Sequence, residues 1–124
     1  MKKLLPLIAF SLLVSAPVAS ALTQAQVREC QALAQSLGPD KAALEAKVAE
    51  RDALAAEAEA TGEAWENAEA VRNFDAENAA AADALRLSFH EKKTAFENAE
   101  TDLFGLSHRL DKDTARFNSL CVTE

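Results

Sequence analysis

Apolar residues recur at alternating intervals of four and three positions between Leu85 and Leu120, which is the spacing of a coiled-coil seam. The repeat lasts about five heptads and has two charged interruptions, Lys92 and Asp113. Its members are Leu85, Phe89, Lys92, Phe96, Ala99, Leu103, Leu106, Leu110, Asp113, Phe117 and Leu120. The spacing predicts one long helix with an apolar stripe that packs against another helix.

Two cysteines, Cys30 and Cys121, lie near opposite ends of the sequence, and we predict that they form an intramolecular disulfide. Two free thiols or an intermolecular bridge are the alternatives. Disulfide-bonded cysteines have Cα atoms about 4.4–6.8 Å apart. An unbroken helix from Asp40 to Asn118 would be about 120 Å long. The chain must therefore reverse, and arms of equal length place the turn near residue 75.

The segment Asn73–Asp75 suits this turn, because Asn and Asp tolerate turn geometry and Asp75 can cap the helix that follows. A turn here pairs residues whose numbers sum to about 151, so Trp65 is expected beside Leu85 and Phe89. Within this pairing we expect ion pairs that fix the register, namely Lys92 with Glu59 and Arg51 with Glu100. The alternative is that the Lys92 and Arg51 side chains extend into the solvent.

A short N-terminal helix is predicted to start at Thr23, where Gln26 completes a capping box, and to end at Gly38-Pro39. A second, alanine-rich helix then reaches about Val71. The predicted fold is all-α: an elongated, coiled-coil-like antiparallel helical hairpin with a short N-terminal helix. Its apex lies near Asn73–Asp75, and the disulfide joins its ends.

Residues 1–21 have the pattern of a bacterial Sec-type signal peptide. Lys2 and Lys3 form the positive region, Leu4–Val14 is the apolar region, and Ala19–Ala21 is the cleavage site. A retained membrane anchor is the alternative, but the apolar run is shorter than the roughly 20 residues that cross a bilayer. We therefore expect cleavage after Ala21 and a periplasmic or secreted protein.

The remaining residues, 22–124, are predicted to form a single helical domain with a strongly acidic character. They contain all 20 acidic residues and 11 of the 13 basic ones, so their formal charge is −9. Such a chain would be repelled by nucleic-acid phosphates and by anionic lipid. We therefore expect no nucleic-acid binding and no stable membrane insertion after cleavage of the signal.

An acidic run without an intervening base lies between Arg51 and Arg72. It predicts a contact for a protein partner with a basic surface; the alternatives are a weak cation site and a solvated helix face that serves solubility. A straight helix does not converge the six to eight oxygens that calcium needs, which disfavours a calcium site. The five candidate contact residues are Glu57, Glu59, Glu63, Glu66 and Glu69.

No motif in the sequence points to an enzyme, a cofactor or a metal site. His90 and His108 are 18 residues apart and off the seam, so they are expected to be exposed rather than to share a metal. The predicted function is structural or protein-binding, of an adaptor or chaperone-like kind. The alternatives are a helical subunit of a larger homo- or hetero-oligomeric envelope assembly, and a weak cation or ligand binder acting through the acidic helix face.

Overall fold

A computed structural model describes residues 21–122, in which all regular secondary structure is helical. Helix α1 spans Gln24–Ala70 and helix α2 spans Ala76–Cys121, and the two helices pack against each other. A disulfide joins Cys30 to Cys121. The predicted all-helical class and the predicted disulfide are confirmed. The predicted signal peptide lies outside the described residues except for Ala21.

Both helices begin at side-chain caps that the sequence indicated. The Thr23 hydroxyl accepts a hydrogen bond from the Gln26 amide at 3.2 Å, and Gln26 Oε1 accepts one from the Thr23 amide at 2.8 Å. Asp75 Oδ1 accepts a hydrogen bond from the Asn78 amide at 2.8 Å at the start of α2. These contacts satisfy amide groups that have no partner within the first turn of a helix.

The prediction of a separate N-terminal helix ending at Gly38-Pro39 is wrong, because α1 continues through Pro39 without interruption. A proline inside a helix removes one hydrogen bond and costs about 3 kcal/mol. Packing against α2 offsets that cost, because half-buried residues keep the same seven-residue spacing across the proline, with Leu37 before it and Leu44 after it. Gly38 also lacks the Cβ that would clash with the proline ring.

The connection between the helices occupies residues 71–75, the position at which the sequence predicts a turn. The Val71 amide donates to the Ala68 carbonyl at 3.2 Å, and the Phe74 amide donates to the Val71 carbonyl at 3.0 Å. Phe74 itself points outward and is 76% exposed. Local hydrogen bonds rather than burial of Phe74 therefore define this turn.

A four-three repeat of half-buried and buried residues runs along both helices. In α2 it follows the predicted seam. In α1 it is less apolar than the sequence suggested, and polar residues hold several of its positions. The α1 members are Gln26, Cys30, Leu33, Leu37, Asp40, Leu44, Lys47, Arg51, Leu54, Ala58, Thr61, Trp65 and Ala68.

Residues that come later in α1 contact residues that come earlier in α2, so the two helices run in opposite directions. Lys47 Nζ lies 3.9 Å from Asp102 Oδ2, and further along α1 the ring centroids of Trp65 and Phe89 are 5.5 Å apart, as the pairing rule predicts. Within the described residues only three side chains are buried, and all are alanines: Ala58, Ala82 and Ala99. In this part of the chain neither helix has an apolar stretch long enough to span a membrane.

Candidate functional site

An open groove with a volume of about 440 Å³ lies between α1 and α2, and Gly62 is one of the residues that line it. A Cβ atom added to Gly62 would lie 3.1 Å from Phe89 Cε2, which is tighter than an ordinary contact. The missing side chain therefore lets the Phe89 ring pack closely against α1. The groove is lined by Ala58, Glu59, Gly62, Glu63, Trp65, Glu66, Phe89, Lys93, Phe96 and Glu97.

Aromatic side chains form the floor of this groove. Trp65 and Phe89 contact each other with ring planes tilted by 31°, and the exposed His90 ring lies 6.0 Å from Trp65 and 5.6 Å from Phe89. Trp65, Phe89 and Phe96 are all only half-buried. A two-helix layer leaves these rings open to solvent on one flank, so they present an apolar surface to an incoming group.

Carboxylates line the α1 side of the groove. Glu59, Glu63 and Glu66 follow one another at helical spacing of four and three residues, and all three are exposed. None of them forms an ion pair within residues 21–122, whereas Lys93 on α2 lies 3.6 Å from Glu97. The groove residues contain four carboxylates and one ammonium group, a formal charge of −3. The groove therefore combines an apolar floor with a negative rim.

The other two predicted contact residues, Glu57 and Glu69, have intramolecular partners. Glu57 accepts a hydrogen bond from the Lys92 ammonium across the two helices. Glu69 lies 3.2 Å from Arg72, which also donates a 2.7 Å hydrogen bond to Asp83 on α2. The structure thus separates the acidic run into Glu57, which joins the two helices, Glu69, which pairs with Arg72 of the connection, and three residues that face the groove.

The two predicted register pairs are wrong in their partners. Lys92 contacts Glu57 rather than Glu59, because Glu57 lies beside the helix interface whereas Glu59 lies farther round the helix. Arg51 lies 2.7 Å from Asp52 on its own helix rather than beside Glu100. Lys92, a charged seam residue of α2, therefore does form an ion pair with α1. Its partner, Glu57, lies two residues before the predicted Glu59.

Two ion pairs, one between the connection and α2 and one between the two helices, shift the pKa values of their members. The hydrogen bond from Arg72 lowers the pKa of the Asp83 carboxyl, and the same bond raises the pKa of Arg72. At the other end of the helices Arg116 donates to both carboxylate oxygens of Glu29, at 2.7 and 3.1 Å. That pair lowers the pKa of Glu29 and raises the pKa of Arg116. Both pairs are at least partly accessible to solvent, so each is expected to contribute little to stability.

The disulfide is remote from the groove. The Cα atoms of Cys30 and Cys121 are 5.6 Å apart. The ion pair nearest to the disulfide in the sequence is that of Glu29, which directly precedes Cys30, with Arg116. Cys30 precedes Gly62 by 32 residues of one helix, a distance of about 48 Å. The two predicted cysteines therefore have a structural role that is independent of the groove.

The histidines and acidic residues do not assemble a metal centre in the described part of the chain, where no group of three or more potential ligands comes together. His90 is exposed beside Trp65, and His108 is exposed and stacks on Phe104 with a centroid distance of 6.4 Å. Both histidines thus lie at separate surface positions, as their spacing in the sequence predicts.

The sequence analysis named the three rim glutamates as candidate contact residues. It assigned no role to Gly62, and it placed Trp65 only beside the facing helix. A signal was present, because residues 62 and 89 sum to 151, the predicted pairing number. A glycine opposite a phenylalanine indicates a place where the ring can pack closely on the facing helix. Comparison with protein-family models, curated proteins and solved structures finds no match to this chain.

Proposed function

We propose that this chain is an exported, elongated antiparallel helical hairpin that binds a protein partner with a basic surface, in an adaptor or chaperone-like role. The contact surface is the groove around Gly62 with its rim of Glu59, Glu63 and Glu66. No catalytic step is assigned to it. The hairpin shape is supported by the opposite order of the interhelical contacts and by the disulfide between Cys30 and Cys121.

The observation that carries this proposal is the set of three exposed glutamates beside a half-buried aromatic floor, and none of the three is ion-paired within residues 21–122. A solvated face that only maintains solubility has no need of half-buried rings between its carboxylates. A surface with apolar contacts at its centre and charged groups at its edge is the arrangement found in protein interfaces. Charge complementarity then favours a basic partner.

Export to an oxidising compartment is part of the proposal. Disulfides form and persist in the periplasm and outside the cell. The cysteine pair of this chain is well placed to bond, with Cα atoms 5.6 Å apart. The signal-like pattern of residues 1–21 supports the same compartment. Mass analysis of the protein isolated from the periplasm would test both points, since it reports the N-terminal residue and the number of free thiols.

Photo-crosslinking in intact cells tests the partner contact. A photo-reactive amino acid is placed at position 63, and in a matched control at position 45. Glu45 lies fourteen residues before Glu59 on the same helix and therefore has an equivalent orientation outside the groove. We expect a basic protein to be captured from position 63 only, and the adduct to disappear when Glu59 and Glu66 are both replaced by Gln. The same adducts from both positions would overturn the proposal.

A second candidate function, subunit of a larger assembly, is favoured by exposed apolar residues on α2. Leu87 is 61% exposed and Phe104 is 76% exposed, both away from α1. Each of these apolar side chains would be removed from water if another chain packed on that part of α2. Sedimentation across a wide concentration range tests this function. A concentration-dependent oligomer that is dispersed by Leu87→Ser with Phe104→Ser supports it, and a monomer throughout would remove it.

A further inference from the structure

We propose that the groove around Gly62 receives an arginine side chain from an unfolded or extended basic segment of the partner, an inference that rests on the proposed protein-binding function. The guanidinium would lie over the aromatic floor and between the carboxylates of the rim. Three features of the groove lead to this chemistry: the rings, the charge and the close packing of Phe89 on Gly62, which holds one ring in place.

The rings provide a surface on which a planar cation can lie. Trp65 and Phe89 are in contact at 5.5 Å, and with Phe96 they form the floor of the groove while staying half-buried. The face of an aromatic ring attracts a cation within about 6 Å of its centre, and a guanidinium also stacks on the ring as a plane. An arginine side chain therefore suits this floor better than an aliphatic one.

The rim provides hydrogen-bond acceptors for that cation. Glu59, Glu63 and Glu66 lie at intervals of four and three residues, so neighbouring carboxylates project from adjacent turns of one helix face. Guanidinium groups have five N–H donors in a planar fork and pair with carboxylates in a bidentate manner. The formal charge of −3 on the groove residues attracts such a group from solution.

Gly62 allows the Phe89 ring to pack directly against α1. Because a Cβ at this position would lie 3.1 Å from Phe89 Cε2 and 3.3 Å from Phe89 Cδ2, any other residue has to displace the ring and so disturbs the floor of the groove. The other two described helical glycines, Gly38 and Gly105, have no atom within 4 Å of an added Cβ. Gly62 thus differs from them in being in close contact with an aromatic ring of the opposite helix.

Arginine is preferred over lysine for a physical reason. A lysine ammonium is compact and strongly hydrated, so it loses more solvation when it enters a half-buried groove. Both cations would be attracted by the rim, but only the guanidinium can stack on the rings and pair with two carboxylates together. The expected specificity is therefore for arginine at one position of the partner, not for positive charge in general.

Trp65 allows a direct test, because it is the single tryptophan of the chain and it lies in the groove. The oxidised protein is titrated with three capped alanine-based peptides, each free of tryptophan and with one variable position flanked by two lysines. The variable residue is arginine, lysine or citrulline, which is the neutral isostere of arginine. Binding is measured by Trp65 emission and by isothermal titration calorimetry.

We expect the arginine peptide to change Trp65 emission and to bind at least fivefold more tightly than the lysine and citrulline peptides. Glu63→Gln and Gly62→Ala should each weaken its binding at least fivefold. The matched controls, Glu45→Gln and Gly105→Ala, should leave binding unchanged. Circular dichroism checks that all four variants keep their helix content.

Equal affinity for all three peptides, or equal loss with Glu63→Gln and Glu45→Gln, would overturn the arginine site. If the arginine peptide fails to bind while crosslinking from position 63 still captures a basic protein, only this inference is wrong. If the arginine peptide binds selectively but position 63 captures no protein in cells, the groove has the inferred specificity and the proposed function is wrong.

Discussion

The turn end and the disulfide end of this molecule hold the two helices together by different means. The turn end comprises residues 58–70 of α1 and 76–92 of α2. It contains two of the three buried residues, Ala58 and Ala82, the second of which is completely inaccessible to solvent. Small side chains allow two helices to approach closely, so the contact here depends on packing.

The disulfide end comprises residues 24–44 of α1 and 106–121 of α2. Its seam carries large apolar residues, but none of the described residues in either segment is buried. A layer of only two helices cannot enclose large side chains on all sides. The Cys30–Cys121 bond and the bidentate Glu29–Arg116 pair fasten this end instead. A covalent link therefore replaces the core that a two-helix structure is too thin to form.

Removal of the disulfide should have the largest effect on stability. In the chain-entropy account, a crosslink across 91 residues stabilises the folded state by about 4–5 kcal/mol, since it restricts the unfolded chain. We expect the Cys30→Ser/Cys121→Ser variant to lose stability of that order, as measured by urea unfolding. A loss below about 1 kcal/mol would show that packing alone holds the disulfide end.

Hydrogen exchange on the same variant sharpens the comparison between the ends. Without the bond, we expect amides in residues 24–44 and 106–121 to lose most of their protection. Amides near Ala58 and Ala82 should keep more of theirs, because the close contact at the turn end remains. Equal loss of protection along both helices would contradict the division into a packed end and a crosslinked end.

Enlarging a buried alanine at the turn end should have the next largest effect. Ala82→Leu inserts three carbon atoms where no space is accessible, which typically costs about 1–3 kcal/mol. Ala84→Leu is the matched control, because Ala84 lies two residues away on the exposed side of α2. Its effect should stay within about 0.5 kcal/mol. Similar unfolding midpoints for the two variants would show that the turn end is not closely packed.

The same contrast explains which parts of the fold the sequence predicts. The α2 seam and the residue 71–75 turn follow from local signals: large apolar residues at heptad spacing and an Asp75 cap. The pairing of Trp65 with Phe89 follows from the disulfide and the turn together. The all-helical class is predictable because large-residue spacing, cap chemistry and the cysteine pair all agree.

The α1 seam and the continuity of α1 were harder to predict. Three interface positions in α1 are held by charged residues, namely Asp40, Lys47 and Arg51. A heptad repeat is recognised by its apolar residues, so the repeat in α1 is difficult to detect in the sequence. Pro39 gives a strong local signal for a helix end, but packing on either side outweighs it. The groove was missed for a related reason, since a glycine is informative only when its neighbour across the interface is known.

Alanine substitution at two glycines distinguishes an open helix surface from the groove. Gly105→Ala should stabilise the protein by about 1 kcal/mol, because alanine is the better helix former and nothing lies within 4 Å of the new Cβ. At Gly62 the same propensity gain is opposed by the Phe89 ring at 3.1 Å. We therefore expect Gly62→Ala to give a smaller gain or a loss in urea unfolding. Equal gains at both sites would mean that Phe89 moves aside freely.

The smallest expected effect is the acid sensitivity of the ion pairs that fasten the two ends. The pKa of Asp83 is lowered by its hydrogen bond from Arg72, and the pKa of Glu29 by its hydrogen bonds from Arg116. A carboxyl whose pKa is lower in the folded state than in the unfolded chain stabilises the fold above its ordinary pKa. This contribution is lost as the pH falls below about 4 and passes through the folded-state pKa.

Thermal unfolding between pH 2 and pH 7 at low salt tests this acid dependence. We expect the midpoint temperature of unfolding to decrease as the pH is lowered below about 4. The decrease should be smaller in Asp83→Asn and in Glu29→Gln than in the parent protein. Glu45→Gln serves as the control, because Glu45 forms no ion pair within residues 21–122. Since both pairs are at least partly accessible to solvent, about 1 M salt should reduce the difference between variants and parent. An acid-side slope identical in all four proteins would show that these pairs do not fasten either end, and would leave alanine packing and the disulfide as the forces that distinguish the two ends.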